Sequence, residues 1–504
     1  MKKGKVYLVG AGPGDPGLFT LKGKDVLERA EVVIYDYLAN PSLLKFCKPD
    51  AELIYVGKKG GCHTLSQPEI NKLIVEKALE GKLVVRLKGG DPFLFGRGGE
   101  EVEELVKAGI EFEVIPGITS AIAVPAYAGI PVTHRNFTST LAIITGHEAE
   151  GKDESKIDFK AISKIGTLVF LMGVKNLPYI VENLLKNGKS ASTPVAVIQW
   201  GTLPRQRTVT GTLDNIVKRV KEAGITAPAI IIVGEVVKLR EKFRWFDTKP
   251  LFGKKVIVTR TREQSSKLIK ALEELGAACY EVPVIKIEPL FTEEVKNILK
   301  DLDFFDWIVF TSENGVKIFF DFLWKLGFDV RILGGKKIAA IGPATKESLE
   351  KRGIRVDLFP DKDFKQEGLI KAFSQLDLKD KKFLIPRAKV AREDLPKFLE
   401  EKGAVVKVLG IYETVLPKDS EELLKKAIEE GAELVTFTSS STVKNFFSLA
   451  EKVVSKDLLK SLVFASIGPV TSRTLREFGF EPHIEAEEYT IPGLVKAILK
   501  YFSS

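Results

Sequence analysis

Cysteine, methionine and histidine are scarce in this chain of 504 residues, which contains three, two and four of them respectively. The cysteines, Cys47, Cys62 and Cys279, show no C-x-x-C spacing, and the histidines lie far apart in the sequence. Neither a disulfide framework nor a compact metal site built from neighbouring residues is therefore indicated. We predict that the protein binds no metal.

Long hydrophobic runs are missing as well. A membrane-spanning helix needs about 20 consecutive apolar residues, and no segment of the chain approaches that length. The amino terminus leads directly into a strand at Val6–Gly10, without the apolar segment of a secretion signal. We therefore expect a soluble, cytoplasmic protein with no membrane partner.

Concentrated positive charge is a third absence. The net charge of +9 comes from basic residues spread over the whole length. No lysine/arginine block and no aromatic-basic motif of the RNA-binding kind occurs. This distribution argues against a nucleic-acid partner and favours acidic small molecules as ligands.

The chain does have a regular alternation of short β-rich apolar runs with amphipathic helical stretches, which indicates an α/β fold with mainly parallel sheets. It is too long for one hydrophobic core, so several domains are expected. In the second half the sequence repeats at an offset near 127 residues: Phe310–Ser312 matches Phe437–Ser439, and Ile341–Thr345 matches Ile467–Thr471. Two similar α/β lobes with a ligand cleft between them are therefore expected there.

The most informative segment is residues 84–101, VVRLKGGDPFLFGRGGEE, in which a buried-type strand enters a loop dense in glycine. Glycines let a backbone approach a ligand closely. Arg86, Lys88 and Arg97 supply positive charge that suits a polycarboxylate or a phosphate, and Asp91 can accept hydrogen bonds from a ligand. We interpret the loop as a ligand site. A long surface loop with solvated charges is the alternative.

A second glycine loop, VGAGPGDPG at residues 9–17, imitates a dinucleotide-binding fingerprint because Asp36 ends the next strand. In that fingerprint the glycines open a helix whose amides hold a diphosphate. Here Pro13 and Pro16 remove amide donors and delay the helix until about Thr20. The loop is better matched to a neutral or cationic ligand such as a sulfonium compound. A nicotinamide-dependent oxidoreductase built on this loop is the alternative.

These segments, together with PGITSA at 116–121 and TAPA at 226–229, resemble the S-adenosylmethionine-dependent uroporphyrinogen-III C-methyltransferases over residues 1–240. The resemblance implies a two-lobed tetrapyrrole methyltransferase fold, with S-adenosylmethionine as the methyl donor. It implies that Asp36 is a proton acceptor and Lys58 a proton donor. Without the resemblance, each would be interpreted as a solvated charge at the end of a strand. The residues it implies for cofactor binding are Pro13, Gly89, Gly90, Asp91, Leu94, Thr119, Ser120, Met172, Gly201 and Ala229.

The reaction of that family is methylation of uroporphyrinogen III at C-2 and C-7 to give precorrin-2. An electron-rich pyrrole carbon must meet the sulfonium methyl group in line, so positioning carries most of the catalysis. A base near Asp36 would remove the excess proton from the ring. The residues considered for binding the acetate and propionate groups of the macrocycle are Arg86, Lys88, Arg97, His134 and Arg135.

Residues 253–504 resemble uroporphyrinogen-III synthase, which closes hydroxymethylbilane while inverting its last pyrrole. The resemblance rests on the order, spacing and internal symmetry of short segments such as 310–316, 341–345 and 408–414. It implies that the phenol of Tyr412 lies near the leaving hydroxyl group and that this half uses no cofactor. A non-catalytic tetrapyrrole-binding module is the alternative for this half.

Hydroxyl-bearing residues follow several predicted strands of the second half, just before helices. Hydroxyls and backbone amides at helix N-termini bind carboxylates well, but each such residue is equally interpreted as a helix N-cap. If they face one cleft between the lobes, binding is favoured. The residues are Thr311, Ser312, Thr345, Ser439 and Thr471.

The leading hypothesis is a fused bifunctional enzyme that makes uroporphyrinogen III and methylates it, acting as a homodimer through the methyltransferase half. The expected units are methyltransferase lobes at 1–115 and 116–240, a linker at 241–253 and a synthase half at 254–504. In the synthase family the two lobes exchange chain. That implies one lobe of residues near 254–285 and 416–504 and another of residues near 286–415.

Overall fold

The computed structural model describes residues 3–57, 65–146, 157–259 and 262–503. Within these residues the strands form four five-stranded sheets, and each sheet carries buried apolar side chains on both faces. The architecture is α/β, as predicted. None of the helices in the described part of the chain is long and apolar enough to cross a membrane.

The first sheet is parallel throughout, in the order β3-β2-β4-β1-β5. Its packing follows the two-residue period of a strand: Val6 and Leu8 face α2 and α3 on one side, and Tyr7 and Val9 face α1 on the other. The elements are β1 (Lys5–Gly10), α1 (Leu21–Leu27), β2 (Val32–Tyr35), β3 (Glu52–Tyr55), α2 (Gln67–Leu79), β4 (Val84–Lys88), α3 (Gly98–Lys107) and β5 (Glu111–Ile115).

The second sheet is mixed, in the order β6-β7-β10-β8-β9. Its elements, including the helix that precedes it, are α4 (Ser120–Tyr127), β6 (Leu141–Thr145), α5 (Phe159–Ile162), β7 (Thr167–Leu171), α6 (Leu177–Lys186), β8 (Pro194–Gln199), β9 (Arg207–Thr212), α7 (Ile216–Glu222), β10 (Ala229–Val233) and α8 (Arg240–Phe243). Only β6 and β7 pair in parallel, whereas β10 runs antiparallel to β7 and β8, and β8 to β9. This sheet departs from the predicted parallel pattern. The connection between β8 and β9, residues 200–206, is too short for a parallel crossover.

The second half supplies the other two sheets. Its strands are β11 (Lys255–Val258), β12 (Ala278–Glu281), β13 (Lys286–Pro289), β14 (Trp307–Phe310), β15 (Lys337–Ala340), β16 (Lys382–Ala388), β17 (Val405–Val415), β18 (Leu434–Phe437), β19 (Val463–Ser466) and β20 (Ile484–Glu485). Its helices are α9 (Arg262–Glu274), α10 (Glu293–Lys300), α11 (Glu313–Lys325), α12 (Pro343–Glu350), α13 (Gln366–Phe373), α14 (Asp394–Glu401), α15 (Ser420–Glu429), α16 (Ser440–Val453), α17 (Lys456–Ser461), α18 (Pro469–Glu477) and α19 (Ile491–Ser503). The short 3-10 helices among the described residues of both halves are Pro16–Leu18, Pro41–Phe46, Val174–Asn176, Glu235–Leu239, Leu302–Phe304 and Val330–Leu333.

The internal repeat predicted from the sequence is confirmed by these two sheets. The third sheet has the order β12-β11-β18-β19-β20, and the fourth has β13-β17-β16-β14-β15. The strands β11 and β16 begin 127 residues apart, as do β14 and β18, and they occupy equivalent positions in the two orders. The fourth sheet gains β13, which pairs antiparallel with β17. Equivalent aromatic cores result: the rings of Phe310 and Phe319 lie 5.2 Å apart, and those of Phe437 and Phe446 lie 5.3 Å apart.

The segment between the two halves is packed against both of them. The rings of Trp245 and Phe246 lie 4.9 Å and 4.8 Å from the ring of Tyr127. Phe246 also contacts Phe252 at 5.4 Å, and Leu251 is fully buried in the core of the third sheet. Aromatic packing therefore fixes where the chain passes from one half to the other.

Replacing Phe246 with alanine should lower the free energy of unfolding by about 3 kcal/mol, because a buried ring and its contacts with Tyr127, Trp245 and Phe252 are lost. It should also accelerate limited proteolysis within residues 241–253. Urea denaturation and protease digestion measure the two effects. The matched control is Trp324→Ala, since that side chain is 77% exposed and its loss should change stability by no more than about 0.5 kcal/mol. Equal stability of the two variants would contradict the packing role.

Candidate functional site

Three glycines bring three loops together at the carboxyl edge of the first sheet. Gly10 ends β1, Gly90 follows β4 and Gly117 follows β5. A methyl carbon added at Gly10 would lie 2.4 Å from the backbone of Gly117 and 2.7 Å from the carbonyl oxygen of Gly90. The loops are also bonded directly, with the amide of Gly12 donating to Gly90 O at 3.2 Å and that of Gly90 donating to Gly12 O at 2.8 Å. No residue with a side chain fits at Gly10 or Gly117.

Gly90 also leaves space beside this junction. Its φ of 68° lies in the left-handed region that favours glycine, and no atom lies within 4 Å of the position that a Cβ would take. Asp91 fixes the turn that follows. Its carboxylate accepts hydrogen bonds from the amides of Phe93 at 2.8 Å, Leu94 at 3.0 Å and Gly117 at 3.1 Å. The Asp91 carboxylate therefore organises the predicted ligand loop from within.

The first glycine loop contacts the loop that follows β8. The amide of Asp15 donates to Thr202 Oγ1 at 3.0 Å, and the hydroxyl of Tyr127 donates to Asp15 Oδ2 at 2.7 Å. The helix α1 begins only at Leu21, with Thr20 as its N-cap, which confirms the start predicted from the prolines. Because no α-helix opens at the glycines, the diphosphate-binding arrangement of the oxidoreductase alternative is missing at this loop.

Antiparallel pairing gathers the predicted cofactor residues of the second sheet at one edge. Ala229 of β10 pairs with Gln199 at the end of β8, and Ile230 pairs with Leu171 at the end of β7. The residues Met172, Gly201 and Ala229, far apart in sequence, therefore share that edge. Met172 has a φ of 58° and is 52% exposed, which is unlike the plain core residue that its type suggests.

Left-handed backbone is concentrated around this site. Five of the six non-glycine residues with positive φ in the described chain lie in loops after β4, β7 and β8; they are Phe95, Arg97, Met172, Trp200 and Thr202. Such conformations cost free energy and cluster at functional sites. The remaining predicted cofactor residues lie close to the same loops. Thr119 caps α4 by accepting a hydrogen bond from the amide of Ala121 at 3.2 Å, and Ser120 is the first residue of that helix. Three more are partly buried: Pro13, Gly89 and Leu94.

A buried ion network lies below the carboxyl edge of the first sheet. Glu101 of α3 is 1% exposed, and its Oε1 accepts from Arg86 Nε at 3.1 Å and from Lys88 Nζ at 2.6 Å. Arg86 Nη2 continues to Asp36 Oδ2 at 3.2 Å. Burial lowers the pKa of Lys88, with the charge of Arg86 acting in the same direction, while Glu101 opposes both. Two cations and two carboxylates therefore balance one another inside the lobe.

This network corrects the predicted contact of Arg86 and Lys88 with substrate carboxylates. Both side chains are nearly inaccessible, 3% and 4% exposed, and their charges are held by Glu101 and Asp36. Glu101 was not among the site residues predicted from the sequence. The signal was present: residues two apart on a strand share a face, so two cations on buried β4 required a buried anion on a covering helix.

Asp36 keeps a carboxylate that reaches solvent. It follows β2, its side chain is 26% exposed, and its Oδ1 accepts from the amide of Leu38 at 3.1 Å. Asp36 is thus held by Arg86 on one oxygen and by the backbone on the other. Lys58, the predicted proton donor, lies outside the described residues.

The other predicted substrate residues of the first half lie on its surface. The guanidinium of Arg97 donates to both carboxylate oxygens of Glu100, at 2.8 Å and 2.6 Å. His134 lies in a turn, where its Nδ1 accepts from the amide of Asn136 at 3.2 Å. Arg135 is exposed beside it. None of the hydrogen bonds described for Arg97 and His134 joins them to Asp36.

In the second half, Tyr412 and Ser312 form a polar pair within the fourth sheet's core. Their hydroxyl oxygens lie 2.9 Å apart, and Ser312 Oγ also accepts from the amide of Gly315 at 3.0 Å. Tyr412 is buried, and Ser312 caps α11. A phenol held by a helix-capping hydroxyl is a rigid hydrogen-bonding group.

The equivalent position in the third sheet is Ser439, which caps α16 and accepts from the amide of Thr442 at 3.3 Å. The N-cap interpretation holds for Ser312 and Ser439. It is wrong for Thr345 and Thr471, because the caps of α12 and α18 are glycines and both threonines are 4% exposed. Thr311 precedes the Ser312 cap and is partly buried. The five hydroxyls divide between the two sheets, with Thr311, Ser312 and Thr345 at one and Ser439 and Thr471 at the other.

Comparison with known families and proteins matches both halves of the chain. The tetrapyrrole (corrin/porphyrin) methylases match residues 5–217, and uroporphyrinogen-III synthase HemD matches residues 266–496. Porphyrin biosynthesis protein HemD of Ruminiclostridium josui is 40% identical over 503 residues, which cover 99% of this chain and 98% of that protein.

Two further relatives match the first half alone. The S-adenosyl-L-methionine-dependent uroporphyrinogen III methyltransferase of Methanosarcina barkeri is 57% identical over 239 residues, which cover 47% of this chain and 94% of that protein. The structure of uroporphyrin-III C-methyl transferase from Thermus thermophilus complexed with S-adenyl homocysteine is 40% identical, with a TM-score of 0.41. It covers 47% of this chain and 100% of that chain.

Replacing Glu101 with alanine should lower the free energy of unfolding by about 3 to 5 kcal/mol, because two buried cations lose the carboxylate between them. Urea denaturation of the parent chain and of Glu101→Ala measures the difference in unfolding free energy. The neighbouring variant Glu100→Ala serves as control. It breaks only the exposed pair with Arg97, so its effect should stay below about 1 kcal/mol. Similar losses in the two variants would rule out the buried network as a stabilising element.

Proposed function

This chain belongs to the tetrapyrrole methylase family over its first half and to the uroporphyrinogen-III synthase family over its second, and we infer that it is a bifunctional enzyme of tetrapyrrole biosynthesis. The second half cyclises hydroxymethylbilane to uroporphyrinogen III. The first half transfers methyl groups from S-adenosylmethionine to C-2 and C-7 of that product, giving precorrin-2. The observation that carries this inference is the pair of family matches. One covers the first sheet and all of the second except β10, and the other covers the fourth sheet and all of the third except β11.

The residues at the facing sheet edges fit S-adenosylmethionine, which supplies an electrophilic methyl group on a sulfonium cation. The open position beside Gly90 provides room next to the backbone. The cations Arg86 and Lys88 are neutralised below the edge, whereas Asp15 and Asp91 add negative charge near it. This charge distribution supports binding of a cation. We propose that the cofactor residues named in the sequence analysis line this space.

We propose that Asp36 accepts the proton that the pyrrole ring must lose after methylation. Its partly exposed carboxylate at the end of β2 supports this role. Arg86 and Glu101 would act as positioning residues, because Glu101 holds the guanidinium that bonds to Asp36. Lys58 would act as the proton donor, as its family resemblance suggests. Arg97, His134 and Arg135 remain proposed contacts for the acetate and propionate groups of the macrocycle.

In the synthase half we propose that Tyr412 assists departure of the hydroxyl group of hydroxymethylbilane. Ser312 Oγ already accepts from the Gly315 amide, so its own hydrogen can be donated to the phenol oxygen. The phenolic hydrogen of Tyr412 would then be available to the leaving oxygen. Thr311 and Ser439, which are only partly buried, would contribute hydroxyls near helix N-termini to the substrate carboxylates. Thr345 and Thr471 are as inaccessible as Arg86 and Lys88 and would line the site only from behind.

We propose the domain limits given in the sequence analysis, with methyltransferase lobes at 1–115 and 116–240, a linker at 241–253 and a synthase half at 254–504. The strand content of the four sheets supports them, since the third sheet takes its strands from 255–281 and 434–485 and the fourth from 286–415. We also propose a cytoplasmic homodimer formed through the methyltransferase half. The dimer is supported by the resemblance of that half to the methyltransferase family.

The purified chain supplied with hydroxymethylbilane and S-adenosylmethionine should produce a tetrapyrrole carrying two added methyl groups. Mass spectrometry measures the methylation, and chromatography of the oxidised products separates the type III isomer from the type I isomer that forms spontaneously. Omitting S-adenosylmethionine is the control and should leave unmethylated type III product. If only the unmethylated type I isomer formed, both assigned activities would be wrong.

The variants Asp36→Asn and Tyr412→Phe should separate the two reactions. Asp36→Asn keeps the shape of the side chain but removes the base, so methylation should slow by about 100-fold or more while cyclisation is unchanged. Tyr412→Phe removes only the phenol oxygen, so cyclisation should slow while methylation of supplied uroporphyrinogen III is unchanged. Rates of each half-reaction, measured with each variant, provide reciprocal controls. Full methylation by Asp36→Asn, or full cyclisation by Tyr412→Phe, would exclude the role proposed for that residue.

A further inference from the structure

Arg205 presents an exposed guanidinium beside the methyl-transfer site. Its Cζ lies 3.7 Å from the centre of the Trp200 ring. The same indole is approached edge-on by Tyr37, with 6.0 Å between the ring centres. Tyr37 directly follows Asp36 in the chain. A continuous contact from Tyr37 through Trp200 therefore places Arg205 at the rim of the space beside Asp36.

The turn that carries Arg205 is held rigidly. Gln206 is buried, and its side-chain Oε1 accepts a hydrogen bond from the backbone amide of Thr202 at 2.9 Å. The backbone amide of Gln206 donates to Leu203 O at 2.8 Å. Trp200 and Thr202 have φ values of 50° and 69°, a left-handed geometry maintained by these bonds. A preformed turn loses little conformational entropy when its side chain binds a ligand.

Arg205 has no anionic partner among the described residues. The described residues form no ion pair and no hydrogen bond with its guanidinium, whereas Arg86 and Lys88 share Glu101 and Arg97 pairs with Glu100. A guanidinium offers five N–H donors in a geometry that matches a carboxylate, and stacking on an aromatic ring orients it. The stacked cation is thus free to bind a carboxylate of a ligand.

The turn also lies where the two halves approach each other. Burial raises the pKa of Tyr280 in β12, the hydrogen bond from its hydroxyl to Glu430 raises it further, and the positive charge of Arg205 opposes both. The charge of Arg205 therefore acts on a residue of the synthase half as well as lying beside the methyltransferase site.

We propose that Arg205 binds an acetate or propionate group of uroporphyrinogen III at the rim of the methyl-transfer site. This inference rests on the proposed function, because it names a substrate contact for that reaction. Arg86 and Lys88 are buried and cannot bind the carboxylates of the substrate. We assign that role to the exposed Arg205 instead.

The test uses the full chain and three variants, Arg205→Gln, Arg205→Lys and Arg207→Gln, with uroporphyrinogen III and S-adenosylmethionine supplied directly. Arg205→Gln should raise KM for uroporphyrinogen III about tenfold and leave KM for S-adenosylmethionine unchanged. The KM of Arg205→Lys for uroporphyrinogen III should lie between those of the parent chain and Arg205→Gln, because lysine keeps the charge but not the planar guanidinium. Arg207→Gln is the matched control: Arg207 is also exposed, but its guanidinium donates to Ala223 O, and its KM values should equal those of the parent chain.

The outcomes separate this inference from the proposed function. If the parent chain transfers no methyl groups, the proposed function fails. If the parent chain is active and Arg205→Gln has the same KM for uroporphyrinogen III, the role of Arg205 alone is overturned. A rise in both Michaelis constants, or an equal rise in Arg207→Gln, would also overturn it, since either result would indicate a disturbed loop or a general loss of positive charge. Thermal unfolding of each variant verifies that it is folded.

Discussion

The close approach of three backbones at Gly10, Gly90 and Gly117 is the constraint on which the methyltransferase site depends. Because no side chain fits between them, the loops after β1, β4 and β5 meet as a single surface of peptide groups. That contact sets where Asp91 can bind the amide of Gly117 and where the open position beside Gly90 lies. The ligand space is thus formed by main chain, and a side chain at Gly10 or Gly117 would push its loops apart.

In the methyltransferase half, buried charges and surface charges have different roles. The buried level contains Arg86, Lys88, Glu101 and Asp36, whose charges cancel and whose geometry fixes the single carboxylate that reaches solvent. The surface level contains cations such as Arg205 that the fold does not neutralise. A protein that must hold a cationic methyl donor beside an anionic macrocycle needs this separation, because mobile charges at the reacting atoms would attract the wrong partner.

The sequence allowed the fold class, the internal repeat and the start of α1 to be predicted, since each follows from local signals: apolar runs, a fixed offset, and prolines that delay a helix. The antiparallel strands of the second sheet were missed because apolar runs do not reveal strand direction. Arg86 and Lys88 were read as ligand contacts because the glycine loop that follows β4 drew attention to their charge, although their place on a buried-type strand indicated burial. Their partner Glu101 is separated from them by a loop and becomes a neighbour only when α3 packs on the sheet. No motif marks the contact between Arg205 and Trp200, so the sequence alone does not predict it.

The composition of the third sheet has a consequence for how the chain is made on the ribosome. Its strand β11 lies between β12 and β18, and β18 begins at Leu434. One edge of the largely buried strand β11 therefore stays unpaired while the intervening chain is translated. At ~5–20 residues per second this wait is on the order of 10 s or more. The methyltransferase half can complete its own sheets in that time. Nascent chains therefore carry a finished amino-terminal enzyme joined to an open β edge, and this edge is the part of the molecule most in need of protection by chaperones during synthesis.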